Sequence, residues 1–217
     1  YVAAGSELVA LAPKTLETVA VYKHNAARFS STPVIFRYKN RNLLAVTSDD
    51  GRLNLLDTAG LKSVGASAAF SGAKFPAGAL ASWEDSAGDR WILAPASAGP
   101  GADTFRTNGA VQGAAIAAFK VIDRNGAPAL DPVWMSRDMA APATPIVVNG
   151  VVFALDGGTP AHNAVLYALD AATGREVWSS GSQMTSYSKG GLSSGGARVY
   201  VATQDGVQYA FGFPIEH

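Results

Sequence analysis

Several groups of residues in this chain are of types that could do chemistry. Trp83-Glu84-Asp85 sets an aromatic face beside two carboxylates, a combination suited to a flat aromatic ligand and a hard, oxygen-loving cation. The competing reading is a strand end entering an exposed turn, because Glu84 to Asp89 reads EDSAGD, a run of turn formers, and the sequence favours it. Gly191-Leu192-Ser193-Ser194-Gly195 fits G-x-S-x-G, with Asp205 and His217 to complete a nominal triad. A nucleophile elbow needs a helix after it, whereas Gly195-Gly196 leads straight into a strand from Arg198 to Thr203. His24, His162 and His217 stand far apart in sequence with no partner at metal-ligand spacing, so no metal site is assigned to them. Arg37, Lys39 and Arg41 alternate along one strand and its turn, which reads as a solvated hairpin edge that discourages strand addition.

The elements that must position these residues are short strands. Turn-forming pairs punctuate the chain at Asp50-Gly51, Asn108-Gly109, Asn125-Gly126, Asn149-Gly150, Asp156-Gly157 and Asp205-Gly206. Most are flanked by β-branched or aromatic runs, the pattern of tight hairpins. No stretch reads as a long helix or is long enough to span a membrane. The 17 basic and 17 acidic side chains of the 217 residues are interspersed, which gives no electrostatic footprint for nucleic acid. The absence of cysteine removes disulfides, thiolate nucleophiles and thiolate metal sites.

Internal repetition organises the rest. The segment from Ser31 to Gly60 has the layout of that from Ala143 to Gly174, three strands and a polar turn each. A degenerate copy between them carries a Gly/Pro/Ala-rich insertion at residues 98–113, and its Trp134 is a displaced counterpart of Trp178. A last copy runs from Gly190 to Pro214, with Tyr200, Tyr209, Phe211 and Phe213 as packing residues. The sharpest unit is LYALDAATGREVW, Leu166 to Trp178. A strand enters Asp170, Asp170 and Thr173 offer oxygens to turn N–H groups, Gly174 permits positive φ, and Trp178 folds back over small Ala168.

The spacing of Ala168, Asp170, Thr173, Gly174 and Trp178 resembles the A-x-D-x-x-T-G-x-x-x-W signature of pyrroloquinoline-quinone-type β-propeller repeats. The resemblance implies an all-β fold of four-stranded antiparallel blades, with the signature tryptophan packed and buried between neighbours. On this reading residues 1–24 are part of a blade, 31–66, 77–136 and 143–181 are blades, and 190–217 are part of another. That is about four blades' worth of a seven- or eight-bladed ring, the C-terminal portion, which needs the remaining N-terminal blades, in the same protein or a separate chain, to close. The first residues, strand-like from Tyr1 with no signal peptide in view, read as lying inside a larger precursor.

The family contains both non-catalytic propellers and quinone-dependent dehydrogenases. No carboxylate-amide ligand set and no adjacent-cysteine pair is present to carry over, so the expected function is that of a non-catalytic binding platform or scaffold, exported in bacterial fashion to the periplasm or medium, with a possible protein partner and no cofactor. The alternative is an alcohol dehydrogenase-like oxidoreductase using pyrroloquinoline quinone with calcium, its ligands lying mostly in the missing blades; Trp83, Glu84 and Asp85 are the weak cofactor-binding candidates.

Overall fold

The computed structural model describes residues 1–212; Phe213, Pro214 and His217, which figure in the sequence reading, lie outside the described residues. The strands form five sheets in chain order. The first joins β1 (Val2–Ala4), β2 (Glu7–Leu11) and β3 (Thr18–Lys23). The second joins β4 (Val34–Tyr38), β5 (Arg41–Ser48), β6 (Arg52–Asp57) and β7 (Lys62–Ala66) as a meander. The third contains β8 (Ala81–Glu84), β9 (Arg90–Ser97), β10 (Arg106–Thr107), β11 (Ala114–Arg124) and β12 (Ala127–Met135) in the order β10-β12-β11-β9-β8. The fourth is the meander β13 (Ile146–Val148), β14 (Val151–Asp156), β15 (Val165–Asp170) and β16 (Glu176–Ser179). The last joins β17 (Ser193–Gly195), β18 (Arg198–Ala202) and β19 (Gln208–Gly212). The one helical piece among the described residues is a 3-10 turn at Ala102–Thr104.

Two-sided burial explains why the middle strands read as continuous apolar runs. Side chains alternate across a strand, and in β5 both sets are covered: Leu43 and Ala45 join a core with the third sheet, while Leu44 and Val46 join one with the first. β9 and β11 divide in the same way. Ile92 and Phe119 point to the second sheet, and Leu93 and Ile116 point to the fourth. A last core sets Leu155 and Leu166 against Val199 and Val201. Each fully buried aliphatic side chain contributes about 1.5–3 kcal/mol, so the sheets are held chiefly by their neighbours' faces.

The turn pairs behave in two ways. Asn149-Gly150 and Asn125-Gly126, both residues of each at positive φ, close two-residue hairpins, and Asp50-Gly51 and Asp205-Gly206 also lie in hairpin turns. Asp156-Gly157 is no tight turn. It opens the loop from β14 to β15, where the Asp156 carboxylate accepts the N–H groups of Ala140, Ala141 and Gly158. A Cβ on Gly157 would come within 2.7 Å of the Ser188 carbonyl oxygen. Asn108-Gly109 lies in the insertion.

A register shift recurs where the last strand of each of the first four meanders meets its neighbour, after Ala10, Leu55, Ala118 and Ala168. The residues opposite are Ala20, Gly65, Trp134 and Trp178. Trp134 and Trp178 therefore hold one ladder position, although β11 and β12 run on to a more distant turn. Their surroundings differ. Trp134 is fully buried, its indole N–H donates to the Ala171 carbonyl at 3.0 Å, and its ring lies against Gly174. Trp178, expected to be buried between sheets, is 40% exposed, edge-on to Phe211 with ring centroids 5.7 Å apart. What covers Trp134 is the turn after β15; the equivalent stretch after β19 lies outside the described residues.

The insertion at residues 98–113 is a fastening. Phe105 is buried against Phe70 and Phe119, and β10 pairs in parallel with the outer edge of β12. Arg106 and the Asn108 amide both donate to the Thr173 carbonyl, at 2.8 and 3.0 Å, so one segment ties three sheets together. The Thr104 side chain, by contrast, only bonds the Gly101 carbonyl at the surface.

Two substitutions test this architecture by urea denaturation. Trp134→Ala should cost about 3–5 kcal/mol and Trp178→Ala clearly less, because only the former empties a closed site. Gly174→Ala should cost at least about 1–3 kcal/mol through overpacking against Trp134, on top of the strain of φ 69°. Gly126→Ala, with φ 80° and open space around it, should show the backbone strain alone.

Candidate functional site

The signature turn is built by its first residue. Asp170 Oδ1 accepts the Thr173 N–H at 2.8 Å and the Thr173 hydroxyl at 2.6 Å, and the Asp170 carbonyl accepts the Gly174 N–H at 2.7 Å. This presents the Ala171 and Thr173 carbonyls outward to Trp134, Arg106 and Asn108. Ala168 lies opposite Trp178 in the ladder. All these contacts join backbone and side chains within the fold.

Trp83, Glu84 and Asp85 lie at the hairpin between β8 and β9. Asp85 Oδ1 accepts the N–H groups of Ala87 and Asp89, both at 2.9 Å, and Oδ2 accepts the Trp91 indole N–H at 2.8 Å. Burial acts to raise its pKa, but the bonds from Trp91, Asp89 and Ala87 together hold the carboxyl below the usual aspartate value. Glu84 pairs with Arg90 at 2.6 Å. One face of Trp83 is taken by Trp91, stacked with centroids 5.0 Å apart. Lys120 lies over Trp91 at 5.3 Å and bridges Asp89 at 2.5 Å. The cluster is a cross-linked turn, and the Trp83 N–H, Ser82 hydroxyl and Arg90 Nε are buried in it without hydrogen-bond partners.

Other acids have similar structural work. Asp49 accepts the Arg28 N–H, Asp138 accepts those of Gln112 and Gly113, and Asp205 accepts the hydroxyls of Thr203 and Thr185 at 2.6 and 2.7 Å. Those two hydroxyls, Thr203 first, hold Asp205 below the ordinary aspartate range. Among the described residues no three His, Asp or Glu side chains are gathered to hold a metal ion. Ser193 and Ser194 of the G-x-S-x-G stretch are exposed in β17, which turns directly into β18, and the third member of the nominal triad, His217, lies outside the described residues. His24 Nδ1 accepts the N–H groups of Ala26 and Ala27, and His162 faces Thr159 in its own loop. Lys39 bridges to Asp123 of the third sheet at 2.6 Å, and Arg37 Nε donates to the Lys39 carbonyl. The basic run thereby helps to join two sheets, beyond edging a hairpin.

Two open grooves remain. One of ≈ 260 Å³ runs between the insertion and the signature turn, lined by Asn108, Arg137, Asp138 and Glu176. Arg137 bonds Glu176 at 2.7 Å, which raises its pKa, and stacks over Tyr167 at 4.7 Å. Burial raises the Tyr167 phenol against the opposing pull of Arg137. The other, of ≈ 320 Å³, lies between the first two sheets beside Lys23, His24, Arg28 and Asp49.

Sequence reasoning passed over three serines. Ser67, Ser136 and Ser180 each accept, through Oγ, the N–H of Leu53, Ile116 and Leu166 on the neighbouring strand, at 3.0, 2.9 and 2.9 Å. Each also donates its own N–H to that residue's carbonyl. They stand two residues after Gly65, Trp134 and Trp178, in two of the three cases a W-x-S spacing that the repeat comparison could have disclosed.

No protein-family model matches the chain, and no curated protein matches it in sequence. Solved structures do resemble it. A crystal structure of BBS1N in complex with ARL6DN matches with a TM-score of 0.60 at 14% identity, over 97% of this chain and 59% of that one. The computationally designed Ika4 protein matches with 0.52 at 13%, over 88% and 94%. Quinohemoprotein alcohol dehydrogenase from Comamonas testosteroni matches with 0.50 at 14%, over 93% and 39%. These likenesses show the fold: an all-β chain of small antiparallel sheets arranged as in part of a β-propeller. The chain thus spans well under two thirds of the first and third of these structures.

The Asp85 turn yields a pH prediction. Its folded pKa is depressed, so its stabilisation is fully present above the unfolded value of about 3.9 and is lost as pH falls through the lower folded value. Tryptophan fluorescence during acid titration should report release of Trp91 below that point, and Asp85→Asn should remove this step. An unchanged acid step in the variant would assign it to other groups.

Proposed function

We propose that the chain is part of a pyrroloquinoline-quinone-type β-propeller that serves as a non-catalytic binding platform. In this reading residues 1–24 and 190–217 belong to partial blades, 31–66, 77–136 and 143–181 are whole ones, and further blades of the same protein or of a separate chain close a seven- or eight-bladed ring. The protein is exported, to the periplasm or beyond. No helix among the described residues is long and apolar enough to cross a membrane.

The observation that carries the reading is the employment of the carboxylates. A dehydrogenase of this family must leave carboxylate and amide oxygens free for calcium and one acid free as a base. Here Asp85, Asp138, Asp156, Asp170 and Asp205 each accept two or more hydrogen bonds from neighbouring turns. One face of Trp83, the aromatic side chain beside Glu84 and Asp85, is covered by Trp91. The likeness to a structure solved in complex with a protein, ARL6DN, is compatible with the platform, as the likeness to a quinohemoprotein alcohol dehydrogenase is with the alternative.

The test is reconstitution. The purified protein, together with the blades that close its ring, is incubated with pyrroloquinoline quinone and Ca2+, desalted, and read by its absorbance spectrum and by alcohol-dependent dye reduction. The expected outcome is no retained quinone and no reduction. Stoichiometric quinone carried through desalting would turn the assignment to the dehydrogenase.

A further inference from the structure

The larger of the two open grooves, ≈ 320 Å³, lies between the first and second sheets, and its lining runs only from Ser6 to Asp49. One wall is the turn between β1 and β2 with the end of β3; the other is the connector at residues 24–28 with Asp49 in the turn after β5. Further blades join the outer faces of the first and last sheets, so closing the ring does not fill it. Backbone bonds fix its shape. The His24 N–H donates to the Ser6 carbonyl at 2.8 Å and the Phe29 N–H to the Gly5 carbonyl at 2.7 Å. Arg28 gives its N–H to Asp49 Oδ1 at 2.9 Å, and its carbonyl accepts the Asp49 N–H at 2.7 Å.

The side chains are left with unused capacity. His24 stands edge-on to Tyr22 and Phe29, and its Nδ1 accepts the N–H groups of Ala26 and Ala27 at 3.3 and 3.0 Å. With Nδ1 an acceptor, the ring hydrogen sits on Nε2, which remains a donor. The Arg28 guanidinium lies back over the turn between β1 and β2, its Nη2 4.0 Å from where a Cβ on Gly5 would stand. Lys23 is loosely paired, 3.8 Å from Glu7. Arg28 makes no ion pair among the described residues, not even with Asp49, whose backbone it binds. The groove thus gathers three donors, Arg28, Lys23 and His24 Nε2, and one spare acceptor, Asp49 Oδ2, and keeps its nearest opposite charges apart. That arrangement fits a ligand that brings a carboxylate and an N–H side by side. A lone carboxylate or phosphate in so open a groove stays largely in water, where ion pairing contributes little; an acid carried on a polypeptide adds contacts along both walls.

We infer that this groove receives an acidic side chain from an extended loop of a partner protein. Its carboxylate meets the Arg28 guanidinium, with Lys23 and His24 Nε2 beside it, and a neighbouring main-chain N–H donates to Asp49 Oδ2. The mode is acidic-motif recognition by arginine. The inference rests on the platform reading and gives that platform a site and a class of partner.

The probe is the fluorescein-labelled peptide GSAESAG, titrated into the protein with the blades that close its ring and followed by anisotropy, with GSAQSAG as its uncharged control. Saturable one-to-one binding of GSAESAG is expected, about fivefold tighter than that of GSAQSAG and weakened by added salt. Arg28→Gln, at an exposed position, should erase the difference between the peptides, and Arg175→Gln, exposed on the fourth sheet, should preserve it. The amide resonances of Ala26, Ala27 and Arg28 should shift as the peptide binds. Absence of saturable binding, a preference that survives Arg28→Gln, or binding that leaves those amides unmoved would each overturn the inference. Displacement of the peptide by an equal concentration of free glutamate or inorganic phosphate would overturn the polypeptide partner in favour of a small anion. Quinone retention is read separately, so a failed peptide titration with no quinone bound removes the groove as a docking site and leaves the platform in place.

Discussion

The constraint on which this structure depends is that its middle sheets have no solvent side. A free-standing antiparallel sheet buries one face and wets the other. Here β5, β9, β11 and β15 are apolar on both, so each sheet is stable only between two others. The consequence is a row in which stability is a sum of face-to-face contacts between neighbours, with four apolar cores for five sheets. The end sheets have one such contact each, and their outward faces carry the exposed Val2, Val19 and Val21 at one end and the mostly polar set around Arg198 at the other.

Apolar faces slide unless something fixes their relation, and polar contacts do that here. Trp134 reaches from the third sheet to the turn of the fourth, where Gly174 makes room for the ring and the Ala171 carbonyl receives its N–H. The insertion adds Arg106 and Asn108 to the same turn, and Lys39 joins the second sheet to Asp123 of the third. Within sheets, Ser67, Ser136 and Ser180 close the end of the outer strand onto its neighbour. Because the aspartates at the loops serve the same purpose, the groups that elsewhere perform chemistry are here part of the frame.

Much of the architecture can be read in the residues. The turn pairs Asn125-Gly126 and Asn149-Gly150 dictate two-residue reversals because both members accept positive φ, and runs such as LLAV and AAIAAF announce burial on two sides. The Asp170-Thr173-Gly174 turn is local: its hydrogen bonds span only a few residues, so spacing alone specifies it. The bland reading of Trp83-Glu84-Asp85 was equally legible, since EDSAGD is turn chemistry wherever it occurs.

What the tertiary structure decided was which equivalent residues end in equivalent surroundings. Trp134 and Trp178 share a ladder position and a residue type, yet the following turn with its glycine seals Trp134 while Trp178 is half-exposed; no local pattern records what stands beyond the next sheet. The insertion at residues 98–113 reads only as a Gly/Pro/Ala-rich stretch, yet Phe105 finds a buried place between two sheets and Arg106 a carbonyl in a third. Asp156-Gly157 has the letters of a hairpin, and it is the approach of the Ser188 carbonyl from a distant segment that makes it a packing junction instead. Local conformation follows from residues a few positions apart and is therefore written in the sequence; burial depends on partners many residues away, and the fold alone brings them together.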